Sequence, residues 1–193
     1  TLLAVSGGKS PVPLFQQLSQ QALPWAQVTV LLVDERCVPP DHPDSNSALV
    51  RQHLLQGEAA AARWCPFFDA IGDLPTLTAD ANQKLRAQPW PLDVAVLGMG
   101  EDGHTASLFP GAPGLGKALH ASGPVAWTRP LTAPHARLTF TLHALLEARE
   151  LLLSIAGETK LAVYRRAAQK ADEALPISLV INQTQTPLSV WMN

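Results

Sequence analysis

Three glycine-rich or charged segments of this 193-residue chain hold the residue types that act on anionic substrates. The first is Val5-Ser6-Gly7-Gly8-Lys9-Ser10-Pro11, between an apolar run and a helical pattern. Its glycines let backbone N–H groups approach an anion, and a helix N-terminus adds about half a positive charge. Lys9 and the Ser10 hydroxyl add donors. The second is Gly98-Met99-Gly100-Glu101-Asp102-Gly103-His104, which sets Asp102 and His104 in a glycine-flanked turn. A histidine of ordinary pKa, about 6.5, acts as a base near neutral pH. A carboxylate beside it orients the ring and stabilises its charged form. The third is Asp34-Glu35-Arg36, with Ser45-Asn46 beyond. Arg36 suits bidentate phosphate contact, and the acids are costly to desolvate unless paired or used. Lys160, after Gly157-Glu158-Thr159, offers one more cation at a helix start.

Each segment also has a plainer alternative. Ser6–Ser10 also reads as a tight turn with no ligand, and Asp102 as a cap on residues 105–108. Asp34-Glu35-Arg36 also reads as a salt-bridged edge, and Lys160 as a surface residue. Other chemistries are excluded. Gly8-Lys9-Ser10 ends like a nucleotide P-loop, but the required first glycine falls on Leu3, inside an apolar run. Gly98–Gly103 matches G-x-G-x-x-G, yet Pro110 stops any long helix, and residues 118–123 carry no acid. No Gly-x-Ser-x-Gly elbow occurs, and the histidines lack zinc spacing.

The elements that must position these loops follow from periodicity. Apolar runs at Leu2–Val5, Val28–Val33, Asp93–Leu97 and Leu151–Ala156 read as buried parallel strands. Val125–Thr128, Leu138–Leu142 and Leu188–Met192 are further strand candidates. Helical patterns follow Ser10-Pro11, a predicted N-cap and first helical residue, and recur over Ser47–Leu55, Thr78–Ala87 and Thr159–Ala171. Asp34–Asn46 reads as a polar loop and Gly98–Gly116 as too broken for regular structure. This alternation predicts α/β, a three-layer α/β/α sandwich with a mostly parallel open sheet. Ligands bind such sheets outside the carboxyl ends of the strands.

Composition narrows the function. With 14 Lys+Arg against 16 Asp+Glu the net charge is -2, so no basic face argues for nucleic acid. Two cysteines, Cys37 and Cys65, are too few for a disulfide scaffold and read as free thiols in a reducing cytoplasm. No apolar run reaches the roughly 20 residues of a membrane span. Low charge and many prolines are compatible with a monomer, the expected state. One domain over residues 1–193 is expected, lacking a helical segment ahead of the first strand, on which the chain opens directly.

In order along the chain, five blocks resemble the 6-phosphogluconolactonase family. They are Ser6–Pro11, Asp34–Pro39 with Ser45-Asn46, Gly98–Gly111, Arg137-Leu138-Thr139 and Gly157–Lys160. The most specific is Asp102-Gly103-His104-Thr105-Ala106-Ser107-Leu108-Phe109-Pro110-Gly111. The resemblance implies the sugar-phosphate isomerase/deaminase-like fold. It implies hydrolysis of 6-phosphogluconolactone to 6-phosphogluconate in the oxidative pentose phosphate pathway, without metal or organic cofactor. His104 would be the general base and Asp102 its acidic neighbour. Ser6, Gly7, Gly8, Lys9 and Ser10, with Arg36 and Lys160, would hold the phosphate, and Asp34, Asn46 and Arg137 would complete the substrate site. Cys37 stands where the family usually has tryptophan, a change of packing. Lys9-Ser10 replaces the commoner Ser-Thr and adds a cation. A deaminase or isomerase of the same fold would carry an Asn-Glu-Pro-Gly run where Leu108-Phe109-Pro110-Gly111 stands. A sugar-phosphate sensor would be expected to bring a DNA-binding segment or to lose the histidine.

Overall fold

The computed structural model describes residues 1–192. Its main sheet has six parallel strands in the order β4-β2-β1-β5-β8-β9. These are β1 (Leu2–Val5), β2 (Thr29–Leu32), β4 (Arg63–Trp64), β5 (Val94–Gly98), β8 (Glu150–Ile155) and β9 (Leu188–Met192). β2 is buried along its whole length, as expected of a strand covered on both faces. The helices α1 (Val12–Leu18), α3 (Leu74–Arg86) and α6 (Glu158–Ala167) follow strands of the sheet, α2 (Asn46–His53) lies between its strands β2 and β4 in the chain, and the fold is the open α/β/α sandwich expected. Pairings of Val5 with Leu32 and with Val96, and of Gly98 with Ser154, bring the carboxyl ends of four strands to one level. The informative loops leave from that level.

The expectation of a loop over Asp34–Asn46 is corrected. Asp34–Arg36 is a strand, β3, in a second, antiparallel sheet of order β3-β7-β6, with β6 at Val125–Thr128 and β7 at Arg137–Phe140. Val33 is the switch between sheets. Its N–H donates to the Val5 carbonyl of the parallel sheet at 3.0 Å, and its carbonyl accepts from the Phe140 N–H of the antiparallel one at 2.8 Å. Charged residues are poor strand formers, and composition alone reads them as loop. They form a strand here because their charges are met inside the protein.

Glu35 is the clearest case. It is 2% exposed, and no ion pair involves it among the described residues. One carboxylate oxygen accepts from the backbone N–H groups of Arg36 (2.7 Å) and Asn46 (2.8 Å). The other accepts from the Ser47 N–H (2.7 Å) and the Ser45 hydroxyl (3.1 Å). Asn46 and Ser47 open α2, so a buried anion sits at the positive end of a helix. Ser45 caps the same helix by accepting from the Ala48 N–H.

Other boundaries move for local reasons. α1 has Pro11 at its cap, Pro13 in its first turn and no side-chain cap, so Ser10 is not the N-cap. α3 begins four residues before Thr78 because Asp73 accepts from the Thr76 N–H. Short helices α4 (Leu115–His120), α5 (Leu142–Leu146) and α7 (Ile177–Ile181) went unpredicted, each being under two turns.

Replacing Glu35 by Ala strands three backbone N–H groups and a hydroxyl in the interior, each costing about 1–3 kcal/mol unless water reaches it. Glu35→Ala is expected to lose about 3 kcal/mol or more in urea unfolding. A loss below about 0.5 kcal/mol would contradict this account of the β3–α2 junction.

Candidate active site

A cleft of about 420 Å³ opens at the carboxyl ends of β1, β5 and β8. Of the residues predicted for the site, Ser6, Gly7, Gly8, Ser10, Asp34, Arg36, His104, Arg137 and Lys160 line it. Lys9, Asn46 and Asp102 do not.

On one side lies the loop after β1. The N–H groups of Gly7, Gly8, Lys9 and Ser10 donate to no backbone or side-chain acceptor among the described residues. The start of α1 adds little to them. Pro11 and Pro13 have no N–H, and the Val12 N–H donates to the Lys9 carbonyl. The loop, more than the helix end, therefore presents the free N–H groups. The Ser6 hydroxyl is already engaged, donating to the Val96 carbonyl at 2.9 Å and accepting from the Gly98 N–H at 3.2 Å. It ties β1 to β5 and shapes the cleft floor. Lys9 is exposed, outside the lining.

Asn46 lies beneath the cleft and outside its lining. It is 2% exposed, and its amide donates to the Asp34 carbonyl at 2.9 Å. A Cβ on Gly7 would lie 1.9 Å from the Asn46 Oδ1. Glycine at position 7 is thus what lets the loop close over the buried amide.

The opposite side carries His104. Its Nδ1 is 2.5 Å from Asp102 Oδ1, which also accepts the His104 backbone N–H at 3.1 Å. That carboxylate fixes one ring nitrogen, and Nε2 is left for the cleft. A Cβ on Gly100 would sit 2.2 Å from the imidazole and 2.6 Å from Asp102 Oδ1. The glycine makes room for the pair. Asp102 is half-exposed beside the histidine and outside the cleft lining.

Between the two sides stand the charged residues of the second sheet. Arg137 is buried and its Nη1 lies 3.8 Å from Asp34 Oδ2. Burial lowers its pKa from the usual range, and Asp34 works against that shift. Arg36 donates from Nη1 to the Asp44 carbonyl at 2.5 Å. The Asp44 carboxyl is held below the usual carboxylate range chiefly by its hydrogen bond with His135. The Nε atoms of Arg36 and Arg137 are both buried without a hydrogen-bond partner among the described residues. Lys160 reaches the cleft from the first turn of α6.

Sequence reading missed Ser107, Ser154 and Ala156. Ser154 and Ala156 line the cleft from the end of β8. The signal for Ser154 was present, as the polar residue in Leu151–Ile155. Ser107 is fully buried and fixed at three points. Its hydroxyl donates to Asp34 Oδ2 at 2.6 Å, its N–H to Thr139 Oγ1 at 3.1 Å, and its carbonyl accepts from Thr128 Oγ1 at 2.8 Å. It anchors the histidine loop to all three strands of the second sheet. No sequence pattern marks such a contact across 73 residues of chain.

Among the described residues no group of three His, Cys, Asp or Glu side chains is disposed to hold a metal ion. No described helix is long and apolar enough to cross a membrane.

Cys37, just past β3, packs against the core with its thiol pushed up to about 11 by burial and by the Glu35 charge. The unfolded thiol ionises first, so Cys37 subtracts nothing from stability below about pH 9 and lowers it between pH 9 and about 11. Native Cys37 is expected to alkylate far more slowly at pH 8 than in urea. Equal rates, read by mass spectrometry, would show the thiol is not buried as described.

The profile described as "Glucosamine-6-phosphate isomerases/6-phosphogluconolactonase" matches residues 1–191. A protein named 6-phosphogluconolactonase from Neisseria meningitidis is 46% identical over 185 residues, covering 94% of this chain and 80% of that protein. One of the same name from Pseudomonas aeruginosa is 47% identical over 178 residues, covering 89% and 73%. A crystal structure of a 6-phosphogluconolactonase from Shewanella baltica superposes with a TM-score of 0.96 at 41% identity, covering 100% of this chain and 83% of that one.

Proposed function

The chain belongs to the glucosamine-6-phosphate isomerase/6-phosphogluconolactonase family, and on that premise we propose that it hydrolyses 6-phospho-D-glucono-1,5-lactone to 6-phospho-D-gluconate, the second step of the oxidative pentose phosphate pathway. The observation that carries the reading is one cleft with two chemically different sides. One side offers N–H groups unpartnered among the described residues, and Arg36 and Lys160 line the same cleft. The other offers a histidine whose Nδ1 is held by a carboxylate.

The mechanism follows from that division. The 6-phosphate docks on the Gly7–Ser10 N–H groups, Arg36 and Lys160, which supply charge-assisted hydrogen bonds. Docking sets the C1 carbonyl near His104. Nε2 accepts a proton from a water as its oxygen attacks C1, and the carbonyl oxygen becomes an oxyanion. The tetrahedral adduct collapses, the bond from C1 to the ring oxygen breaks, and imidazolium returns its proton to that oxygen. One water is consumed and one carboxylic acid forms, which then ionises. Asp102 keeps Nδ1 protonated and stabilises the imidazolium between the two transfers. The reading includes no cofactor, because a lactone carbonyl is already electrophilic. It takes residues 1–193 as one domain, acting as a cytoplasmic monomer.

Asp34 and Arg137 stand on the wall where the sugar hydroxyls would lie. The deaminase alternative loses support here, since position 109, where its Asn-Glu-Pro-Gly run would carry a carboxylate, is a phenylalanine.

The test is acid release from freshly generated lactone against an enzyme-free blank. Wild type is expected to exceed the blank well, and His104→Ala to lose about 10²–10⁴-fold in kcat. Release at the blank rate by folded wild type, or ammonia release from glucosamine 6-phosphate, would overturn the reading. Arg36→Ala and Lys160→Ala are each expected to raise KM about 10–100-fold with a smaller effect on kcat. Unchanged KM in both would remove the phosphate from that side of the cleft.

A further inference from the structure

Phe109 is buried and lies outside the cleft lining, yet it touches the centre of the site. Its ring stacks on His104 with centroids 4.0 Å apart and planes 23° apart. The Arg137 guanidinium carbon lies 5.3 Å from the same ring centroid. From this geometry we propose that Phe109 is a positioning residue for His104, fixing the imidazole plane and offering its π face to the imidazolium formed during turnover. The proposal rests on the reading of His104 as general base.

The need for it is geometric. The Nδ1···Asp102 bond holds one point of the imidazole and leaves the ring free to tilt. A face-to-face neighbour at 4.0 Å removes that freedom, so Nε2 keeps one direction toward the bound water. The neighbour is itself fixed. The Ala112 N–H donates to the Phe109 carbonyl at 3.2 Å, the Leu108 N–H to the Thr105 carbonyl at 2.9 Å, and Ser107 is anchored as described.

The second part is electrostatic. An aromatic face attracts a cation placed over it, and the imidazolium is such a cation. The charged groups facing His104 are Asp102 at Nδ1, Arg137 on the shared ring, and Asp34, Arg36 and Lys160 along the cleft. Arg137 opposes a second positive charge nearby. Phe109 meets both cations with its ring, and Asp34 holds Arg137 from the other end.

The test compares Phe109→Leu and Phe109→Tyr with wild type, reading kcat, KM, the acid limb of the kcat profile and the His104 ring titration by NMR. Phe109→Leu keeps apolar bulk and loses the π face. It is expected to lose about tenfold in kcat with KM within twofold. Without the π face the imidazolium is disfavoured, so the acid limb and the ring titration both move to lower pH by about half a unit. Phe109→Tyr is expected to restore both. Where Phe109→Leu does not fold, Phe109→Met takes its place. A folded aliphatic variant with wild-type kcat and titration would overturn the proposal. So would a loss that Tyr does not restore, or one in which KM rises as kcat falls, since either marks packing alone. If His104→Ala is itself as active as wild type, the base assignment fails first, and that outcome is separable from the others.

Discussion

The site depends on burying a carboxylate that has no cation to pair with. Glu35 is taken out of water at the switch between the two sheets and is stabilised by the opening N–H groups of α2. Desolvating an anion is costly, and directed donors at a helix N-terminus are one of the few arrangements that offset it. The arrangement fixes three things together. β3 leaves the parallel sheet in one direction, which sets Asp34 and Arg36 on the cleft wall. α2 starts at one place, which sets Asn46. Asn46 in turn lies beneath Gly7 and defines the surface over which the first loop closes.

The histidine side rests on the same second sheet through a different contact. Ser107 is bound to Asp34 of β3, Thr139 of β7 and Thr128 of β6. Its loop therefore cannot shift without breaking buried hydrogen bonds. The parallel sheet supplies the level from which the loops rise, and the small antiparallel sheet holds two of them at a set distance. That rigidity suits the proposed reaction, in which the phosphate would be gripped at one end and the carbonyl would meet a positioned base at the other.

Much of this was legible in the sequence. The buried strands announced themselves as apolar runs. Nine of the predicted site residues line one cleft. What failed did so for identifiable reasons. Asp34–Arg36 looked like a loop because a strand of charged residues is stable only when its partners lie far along the chain. Ser10 looked like a cap because the prolines after it allow two starts for α1. The burial of Asn46 beneath Gly7 was not legible, because spacing places a side chain near a site without saying which side of the backbone it occupies. Ser107 was invisible because a serine is common everywhere and its importance lies in three partners 21 to 73 positions away.

The central claim is that the substrate lies across the cleft in one direction. The most direct measurement is a crystal structure with the product, 6-phosphogluconate, bound. The account predicts phosphate oxygens within about 3 Å of the Gly7–Ser10 N–H groups, Arg36 and Lys160, with the C1 carboxylate against His104 Nε2. A phosphate seated against His104, or a product bound outside this cleft, would contradict it.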